Sequence, residues 1–271
     1  MKKQITVSII LPFYNGQDFV NETLVSIRNQ TFSNFEVVIV DDGSTKKGHS
    51  DYLKSVVNSF GDPRFKYMHK ENGGLSDARN FGIKNSKGTW IAFIDQDDVW
   101  DVKKLEKQVT IVNQKPDVNV IITDGKLIGE KSSEMKLAKK KNLTEGVIGK
   151  SYERLLKGNF ALCSSIVFKK TLIDKVGYCN TIFKICPDYE FIIRLSEHTD
   201  FYFISENLVS YRIHGSNTVK NRLKMSAEVI LLLGDRKTNT KKEKLMATWN
   251  LLITISALTI SWLKKLFSMS V

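Results

Sequence analysis

Cysteine is scarce in this chain of 271 residues, which contains three: Cys163, Cys179 and Cys186. They form no C-x-x-C pair, and an odd number does not close a disulfide framework. The sequence therefore excludes a disulfide-stabilised scaffold and a zinc site of paired cysteines. We expect three small buried thiols in a reducing cytosol.

The chain also lacks a long internal repeat, a low-complexity tract and a recognisable secretory signal. Its first stretch, MKKQITVSIILPFYNG, places two lysines before an apolar run, as a signal peptide does. Thr6, Ser8 and Pro12 interrupt that run, however, and no small-x-small cleavage site follows. The β-branched residues of ITVSIIL instead predict a buried strand.

Positive charge is what the chain has in excess. Lys and Arg total 41 against 29 Asp and Glu, which gives a formal net charge of +12. Hydrophobic residues make up 42% and charged residues 26%, which is ordinary for a globular protein. The charge suggests an anionic partner: a nucleic acid, a phosphorylated substrate or an acidic membrane surface.

Apolar strands and helical patterns alternate from residue 5 to about residue 124. The predicted strands are ITVSIIL, FEVVIV, FKYMH, TWIAFI and VNVIIT, and helices are predicted near 17–30, 50–60, 75–86 and 101–114. This alternation predicts an α/β fold with a mostly parallel sheet covered on both faces. Ligands of such sheets bind beyond the carboxyl ends of the strands.

The pattern changes after residue 124. Residues 125–146 are polar and contain six lysines, which predicts a mobile loop. Further elements are expected after it: helices at SYERLLKG, TLIDKVG and 187–197, a strand at CSSIVF, and one or two strands in FYFISENLVSYRI.

Carboxylates gather where two of the predicted strands end. Asp41 and Asp42 follow the second strand, and Asp95 and Asp97 follow TWIAFI. Like charges beside a low-dielectric core are costly unless a positive charge compensates them. A hard cation such as Mg²⁺ or Mn²⁺ suits oxygen ligands and is often shared with substrate phosphates. These carboxylates and the stretch after the first strand are expected to face one crevice.

The segment FIDQDDVW permits two enzyme classes when it is taken alone. One is a metal-dependent transferase, and the other is a phosphatase of the haloacid-dehalogenase type with Asp95 as the nucleophile. In either case we interpret Asp98 and Asp101 mainly as N-caps of the helix that follows. The flanking sequence has to decide between the two classes.

Those flanks resemble the family-2 glycosyltransferases of the GT-A fold. The stretches SIILPFYN, QTFSNFEVVIVDDGST and ENGGLSDARNFGIKNSKGTWIAFIDQDDVW agree with that family in order and spacing. The resemblance covers residues 5–106 closely and continues more loosely to about residue 218. It implies an inverting, metal-dependent glycosyltransferase that uses a nucleotide-diphospho-sugar donor, a UDP-sugar, with Mn²⁺ or Mg²⁺ as cofactor. A Rossmann dehydrogenase does not fit, because the turn PFYNGQ has one glycine and no G-x-G-x-x-G.

The resemblance also implies where the donor binds. Tyr14 follows the first strand, where its ring can stack on a base, and the carboxylate of Asp42 can accept the N3–H of uracil or thymine. Asp97 is the implied metal ligand. The full set of implied donor-binding residues is Pro12, Tyr14, Asp42, Arg79, Asp95 and Arg212.

A second group of residues is implied for the acceptor side. In CPDYEFIIRL, Asp188 falls on the position of the catalytic base, while Pro187 replaces the usual Glu. Pro187 suits the first turn of a helix, where Asp188 is alternatively a carboxylate favoured by the helix dipole. In VSYRIHGSNT, Arg212 is implied as a contact of the leaving diphosphate and His214 as a metal or diphosphate contact.

We divide the chain into three segments on this basis. Residues 1–124 form the nucleotide-sugar-binding half of a GT-A domain, 125–218 the acceptor-binding half and 219–271 a C-terminal helical segment. The last contains 19 uncharged residues between Lys244 and Lys264, with tryptophans near both ends and lysines beside them. This pattern predicts a helix that lies on an anionic membrane surface, with packing against the catalytic domain as the alternative.

The expected protein is thus a cytoplasmic enzyme, peripheral on the inner face of the cell membrane. Its acceptor would be a saccharide or lipid-linked saccharide in surface-polysaccharide synthesis, and nucleic acid is not an expected partner. A non-catalytic sugar-nucleotide-binding subunit is a further alternative, because Pro187 removes a carboxylate beside the implied base.

Overall fold

A ten-stranded sheet forms the centre of the protein. The computed structural model describes residues 7–135, 143–215 and 222–234, and six single positions between residues 241 and 256. The strands are β1 Val7–Phe13, β2 Phe35–Asp42, β3 Phe65–Lys70, β4 Trp90–Phe93, β5 Val99–Trp100, β6 Val120–Ile128, β7 Glu134–Met135, β8 Gly146–Ile148, β9 Val167–Lys169 and β10 Phe201–Arg212.

The sheet is mostly parallel, as predicted. Its strand order is β3-β2-β1-β4-β9-β6-β10-β5, with β7 paired to β6 and β8 paired to β10. Strands β3, β2, β1 and β4 are mutually parallel. The short β9 runs antiparallel to both β4 and β6, so β6 and its parallel neighbour β10 share the direction of the first four strands. The predicted α/β fold is confirmed.

Helices cover both faces of this sheet. They are α1 Gln17–Arg28, α2 His49–Ser59, α3 Leu75–Lys84, α4 Lys104–Gln114, α5 Ser151–Lys157, α6 Ile173–Val176, α7 Pro187–Ser196 and α8 Arg222–Gly234.

The apolar strands of the sequence are explained by burial on two sides. In β1, Ile9 and Leu11 belong to one hydrophobic cluster, and Ile10 belongs to another. Val37 and Val38 of β2 divide between the same two clusters. A strand covered on both faces needs an apolar side chain at nearly every position, which produces runs such as SIIL and VVIV.

Three predicted elements differ from the structure. The segment CSSIVF is a 3₁₀ turn at Cys163–Ser165 followed by β9, and TLIDKVG is helical in α6 only from residue 173 onward, after a second 3₁₀ turn. The polar excursion predicted at 125–146 begins later, because β6 continues to Ile128. Residues 125–128 pair there with the second half of β10.

The predicted division at residues 124/125 lies inside β6. Both sides of that position therefore belong to one sheet, and the assignment of donor and acceptor halves stays a prediction.

Most of the predicted C-terminal helix at 245–263 lies outside the described residues. Five of its positions are described, and the large apolar ones among them, Leu245, Trp249 and Leu252, are more than half exposed. Across the portion of the chain that the structure describes, no helix combines the length and the apolar character that a membrane span requires.

Candidate active site

The loops after β1 and β2 contact each other at the carboxyl edge of the sheet. Oδ1 of Asn15 accepts the backbone N–H groups of Thr45 at 3.0 Å and Lys46 at 2.9 Å. Asn15 has a φ of 51°, a left-handed conformation that asparagine adopts more readily than most residues. The ends of the first two strands therefore lie side by side at this edge of the sheet.

Tyr14 presents an exposed aromatic ring at this edge, with 43% of its surface accessible. Its backbone is fixed by Gln96, whose Oε1 accepts the Tyr14 N–H at 2.9 Å and whose Nε2 donates to the Tyr14 carbonyl at 3.2 Å. The Tyr14 ring is thus available for stacking. Pro12 is buried inside β1, and its assignment to the donor site stays a prediction.

Asp42 is buried at the end of β2, and its carboxylate is already engaged. Oδ1 accepts Nζ of Lys70 at 2.7 Å and the N–H of Gly73 at 3.0 Å, while Oδ2 accepts the N–H of Gly74 at 2.8 Å. These bonds hold the glycine loop against the strand end. Recognition of a base by Asp42 stays a prediction and requires the carboxylate to share its oxygens with the ligand.

Arg79, which is nearly buried, forms an ion pair with the partly exposed Asp95. Nη2 of Arg79 donates to Oδ1 of Asp95 at 2.6 Å, and the Arg79 side chain is 2% exposed. Nε of Arg79 is buried and has no hydrogen-bond partner among the described residues. The structure therefore brings together two predicted donor-site residues. It also leaves a buried N–H beside residues 95–98, which contain Asp95, Asp97 and Asp98 and are called the acidic turn below.

Asp97 and His214 meet across a separation of 117 residues. Nε2 of His214 lies 2.7 Å from Oδ2 of Asp97. Burial, followed by the charge of Asp95, raises the pKa of Asp97 above its ordinary value. The carboxylates gathered in this turn thus have different partners: Asp95 pairs with Arg79, and Asp97 pairs with His214.

The Asp97–His214 pair fits two positions around one divalent cation. Adjacent ligands of an octahedral Mg²⁺ at about 2.1 Å are about 3 Å apart, and both carboxylate oxygen and imidazole nitrogen are suitable donors for Mn²⁺. Over residues 7–135, 143–215, 222–234 and the single positions beyond, no group of three His, Cys, Asp or Glu side chains is placed to hold a metal. The two residues alone therefore do not complete a coordination shell.

Asp98 is not a helix cap, contrary to the prediction. It is buried, and its carboxylate accepts the hydroxyl of Ser164 at 2.5 Å and the backbone N–H of Arg212 at 3.0 Å. Burial, the largest effect, raises the pKa of Asp98 well above its ordinary value. Near the start of α4 it is Asp101 that accepts a backbone N–H, that of Lys103 at 2.9 Å.

Arg212 is fully buried, and its side chain binds the backbone of the acidic turn. Its Nε donates to the carbonyl of Asp97 at 2.8 Å, and its Nη2 donates to Oε2 of Glu22 at 2.5 Å. Nη1 donates to the carbonyl of Gly129 at 3.1 Å. These contacts fix the backbone of the turn, and the predicted contact of Arg212 with a leaving diphosphate stays a prediction.

Asp188 lies in the first turn of α7, after Pro187 at the first helical position. Burial raises the pKa of Asp188 above its ordinary value, the charge of Arg79 opposes that shift, and the charge of Asp95 adds to it. Asp188 is therefore within electrostatic reach of the Arg79–Asp95 pair. The charge of Arg79 thus acts both on Asp95, its ion-pair partner, and on the predicted base.

Ser164 is a residue of this cluster that sequence reasoning missed. Its Oγ accepts the backbone N–H of Asp95 at 3.0 Å and donates to Asp98 at 2.5 Å. Its carbonyl accepts the indole N–H of Trp100 at 2.8 Å. One serine thus joins both ends of the acidic turn. The segment CSSIVF was predicted as a strand, and no motif in it distinguishes one serine from the next.

We expect Ser164→Ala to lower the free energy of unfolding by about 1–3 kcal/mol, because a buried carboxyl and a backbone N–H lose a partner. Denaturant unfolding measures the change. The matched control is Ser165→Ala, whose buried hydroxyl bonds the Leu162 carbonyl at 2.7 Å instead of the acidic turn. The control should lose only the contribution of an ordinary hydrogen bond, about 1 kcal/mol. Equal losses in the two variants would contradict the role given to Ser164.

Two solved structures share the fold. The TarS 1-349 protein of S. aureus, in complex with UDP-GlcNAc, matches with a TM-score of 0.73 at 18% identity, over 92% of this chain and 72% of that one. The mannosyltransferase PcManGT of Pyrobaculum calidifontis, in complex with GDP-Man and Mn²⁺, matches with a TM-score of 0.66 at 15% identity, over 96% of this chain and 76% of that one. At these identities the likeness shows a shared GT-A architecture.

Relatives in sequence are glycosyltransferases. An uncharacterised glycosyltransferase of Rickettsia felis is 34% identical over 220 residues, which are 79% of this chain and 36% of that protein. This chain therefore spans about a third of the length of that relative. The UDP-Glc:alpha-D-GlcNAc-diphosphoundecaprenol beta-1,3-glucosyltransferase WfgD of Escherichia coli is 28% identical over 232 residues, 84% of this chain and 85% of that one.

A protein-family model matches most of the region that carries the acidic turn and the strand ends. The matching model is described as Glycosyl transferase family 2 and covers residues 8–176, more than half of the chain. With the α/β sheet and the cluster at its carboxyl edge, this match shows that the chain belongs to the family-2 glycosyltransferases.

Proposed function

We propose that this protein transfers a sugar from a UDP-sugar to a saccharide or lipid-linked saccharide acceptor, with inversion at the anomeric carbon. The observation that best supports the proposal is the Arg79–Asp95 ion pair, whose two charges act on the carboxyl group of Asp188. Together these residues offer a proton acceptor, a cation and a carboxylate for the donor.

Asp188 is the proposed general base. Its carboxylate takes the proton of the acceptor hydroxyl while that oxygen forms a bond to C1 of the donor sugar. The bond between C1 and the diphosphate oxygen breaks on the opposite face, and its electron pair leaves with the nucleotide diphosphate. A single displacement of this kind inverts the configuration at C1. The raised pKa of Asp188 makes it a stronger base than an ordinary exposed aspartate.

The donor is proposed to lie across the strand ends. Tyr14 offers a ring for the base, Asp42 a carboxylate, and Arg79 a buried N–H without a partner among the described residues. A UDP-sugar is favoured by analogy, since WfgD is named for UDP-Glc and TarS was solved with UDP-GlcNAc. WfgD is also named for a diphosphoundecaprenol-linked acceptor, which supports a role in surface-polysaccharide synthesis.

Asp97 and His214 are the residues proposed to hold Mn²⁺ or Mg²⁺. When bound, the cation neutralises negative charge on the diphosphate of the donor. The donor atoms of the two side chains have the separation expected for neighbouring ligands, and the structural relative PcManGT was solved with Mn²⁺. Arg212 holds the backbone of Asp97 in place for this task.

Two alternative functions, a phosphatase and a non-catalytic sugar-nucleotide-binding subunit, are tested in different ways. The family match from residue 8 onward argues against a phosphatase with Asp95 as nucleophile, because that class would leave β1 to β3 without a function. A non-catalytic sugar-nucleotide-binding subunit is tested by catalysis itself. Slow release of nucleotide from a nucleotide sugar by the pure protein would exclude it.

A panel of nucleotide sugars, each with and without Mn²⁺, tests the proposed donor class. We expect one UDP-sugar to raise the melting temperature in the presence of Mn²⁺ and to release UDP when an acceptor extract is added. Stabilisation by a GDP- or dTDP-sugar alone would show that the donor carries a different nucleobase. No stabilisation by any nucleotide sugar would contradict the proposed function.

We propose that the C-terminal segment attaches the enzyme to the inner face of the cell membrane. The exposed Leu245, Trp249 and Leu252 are spaced four and three residues apart, as on one side of a helix. Several lysines in the flanking sequence would be attracted to anionic lipid.

Deletion of residues 245–271 is expected to abolish sedimentation with phosphatidylglycerol vesicles and to leave the melting temperature unchanged. Uncharged phosphatidylcholine vesicles serve as the lipid control. An unfolded deletion variant would show that the segment packs against the catalytic domain instead. Extraction of the full chain from membranes by detergent but not by salt would contradict a peripheral attachment.

A further inference from the structure

Glu228 of α8 binds the chain segment that leads into the helix of the proposed base. Its Oε1 accepts the backbone N–H of Lys184 at 2.8 Å. Its Oε2 accepts the backbone N–H groups of Ile185 at 2.8 Å and Cys186 at 2.9 Å, and the Cys186 thiol at 3.4 Å. One carboxylate therefore gathers three consecutive N–H groups, which fixes the direction of the backbone at this point.

The three N–H groups lie immediately before α7. Cys186 is the residue that precedes the helix, and its own side chain makes no capping hydrogen bond to the helix. Pro187 follows and has no N–H. The Cys186 N–H is consequently the last backbone donor before Asp188 through which a partner can fix the entry of the chain into α7.

Helix α8 is itself anchored in the core. Leu232 and Leu233 are buried and belong to the same hydrophobic cluster as Cys186 and Tyr189. Glu228 lies one turn earlier on this helix. The carboxylate is thus held by a packed element, so that it can set the position of the loop instead of following it.

The charge state of Glu228 suits this role. Burial alone would raise the pKa of Glu228, but the N–H groups of Cys186, Lys184 and Ile185 outweigh that effect and hold the pKa below its ordinary value. The side chain is therefore an anion at neutral pH. Burial, and then the nearby Glu228 charge, raise the pKa of the Cys186 thiol, which stays protonated and donates to Glu228.

We propose that Glu228 is a positioning residue for Asp188: by binding residues 184–186 it sets the first turn of α7 so that Asp188 faces the Arg79–Asp95 pair. The inference rests on the proposed function of Asp188 as the general base. The segment after residue 218 would then affect catalysis, because Glu228 of α8 controls the position of the base.

Glu228→Gln tests the proposal with almost no change of volume. The amide nitrogen of glutamine does not accept hydrogen bonds, so at least one of the three N–H groups loses its partner. We expect the turnover number to fall roughly 10- to 100-fold, because small displacements of a reacting group have effects of this size. Donor affinity, measured by calorimetry with the UDP-sugar and Mn²⁺, should not change. Amide hydrogen exchange at one or more of residues 184, 185 and 186 should become faster, and first at Lys184 if the remaining oxygen keeps the position that accepts two N–H groups.

Two further variants make the outcome decisive. Leu231→Ala alters an exposed position of the same helix and should keep wild-type turnover. Glu228→Asp keeps the charge but is one methylene shorter, and it should lie between wild type and Glu228→Gln in turnover. A folded Glu228→Gln protein with the turnover of the Leu231→Ala control would overturn the inference, as would a loss confined to donor affinity. Absence of transfer by the wild-type protein would instead contradict the proposed function.

Discussion

Asp188→Asn is expected to lower the turnover number by about 10²–10⁴-fold, the usual contribution of a general base. The substitution keeps the shape of the side chain and removes its ability to take a proton. Donor affinity should survive, because the donor is proposed to contact the strand ends and the acidic turn. Steady-state turnover and calorimetric titration of the donor measure the two quantities separately.

The same variant should not lose stability. The folded-state pKa of Asp188 is raised, first by burial, so the folded protein binds this proton more tightly than the unfolded chain. Ionisation of Asp188 therefore lowers the free energy of unfolding as the pH rises through that pKa. At neutral pH a neutral Asn should leave the free energy of unfolding unchanged or higher, while activity falls.

The pH profile of turnover follows from the same shift. Activity requires the ionised carboxylate, so its acidic limb should lie above the ordinary pKa of an aspartate. The charges of Arg79 and Asp95 act on Asp188, and the charge of Asp188 adds to the raised pKa values of Cys163, Cys186 and Tyr211, for which burial is the main cause.

Asp51→Asn is the matched control for Asp188→Asn, because Asp51 is an exposed aspartate in the first turn of α2. If Asp188 were only a carboxylate at a helix N-terminus, both variants would lose a few tenths to about 1 kcal/mol of stability and keep their activity. Normal turnover of donor-saturated Asp188→Asn would contradict the assignment of the base.

Asp97→Asn is expected to abolish transfer and leave the fold intact. An amide is a much weaker ligand for a divalent cation than a carboxylate, so the Asp97–His214 pair should no longer hold Mn²⁺. The buried negative charge is also costly, since burial and Asp95 raise the pKa of Asp97. Its removal should not reduce the melting temperature. Transfer assays and Mn²⁺ titration of the protein with UDP measure both predictions.

Asp101→Asn is the control for Asp97→Asn. Asp101 is an exposed carboxylate in the same segment and bonds the N–H of Lys103, which the oxygen of asparagine can also accept. Its turnover should match wild type. Full activity of Asp97→Asn, or of the wild-type protein in excess EDTA, would contradict a metal role for Asp97.

Local sequence patterns were sufficient to predict most of the fold and the edge of the sheet at which the acidic residues lie. The continuous apolar runs in β1 and β2 reflect burial on both faces, so strand type and direction could be inferred from them. Parallel strands bring their carboxyl ends together, which is why Asp42 and Asp95 could be placed at one edge. Strand β5, of two residues, and α6, of four, are too short to produce a periodic pattern.

The contacts that support the site could not be inferred in this way. Ser164 and Asp98 are 66 residues apart, and Glu228 and Cys186 are 42 residues apart. Neither serine nor glutamate has a spacing that reveals such partners. Asp98 was wrongly interpreted as a cap because an aspartate before a helix usually is one. Its burial depends on the packing of β10 and the 3₁₀ turn around it.

The configuration of the transferred sugar tests the central claim most directly. Wild-type protein, the UDP-sugar selected by thermal shift, Mn²⁺ and a lipid-linked saccharide acceptor are combined, and the anomeric proton of the product is followed by NMR. The account predicts a new glycosidic bond whose anomeric configuration is opposite to that of the donor, formed by the wild-type protein and nearly absent with Asp188→Asn. A product that retains the donor configuration, or transfer that proceeds equally well with Asp188→Asn, would contradict it.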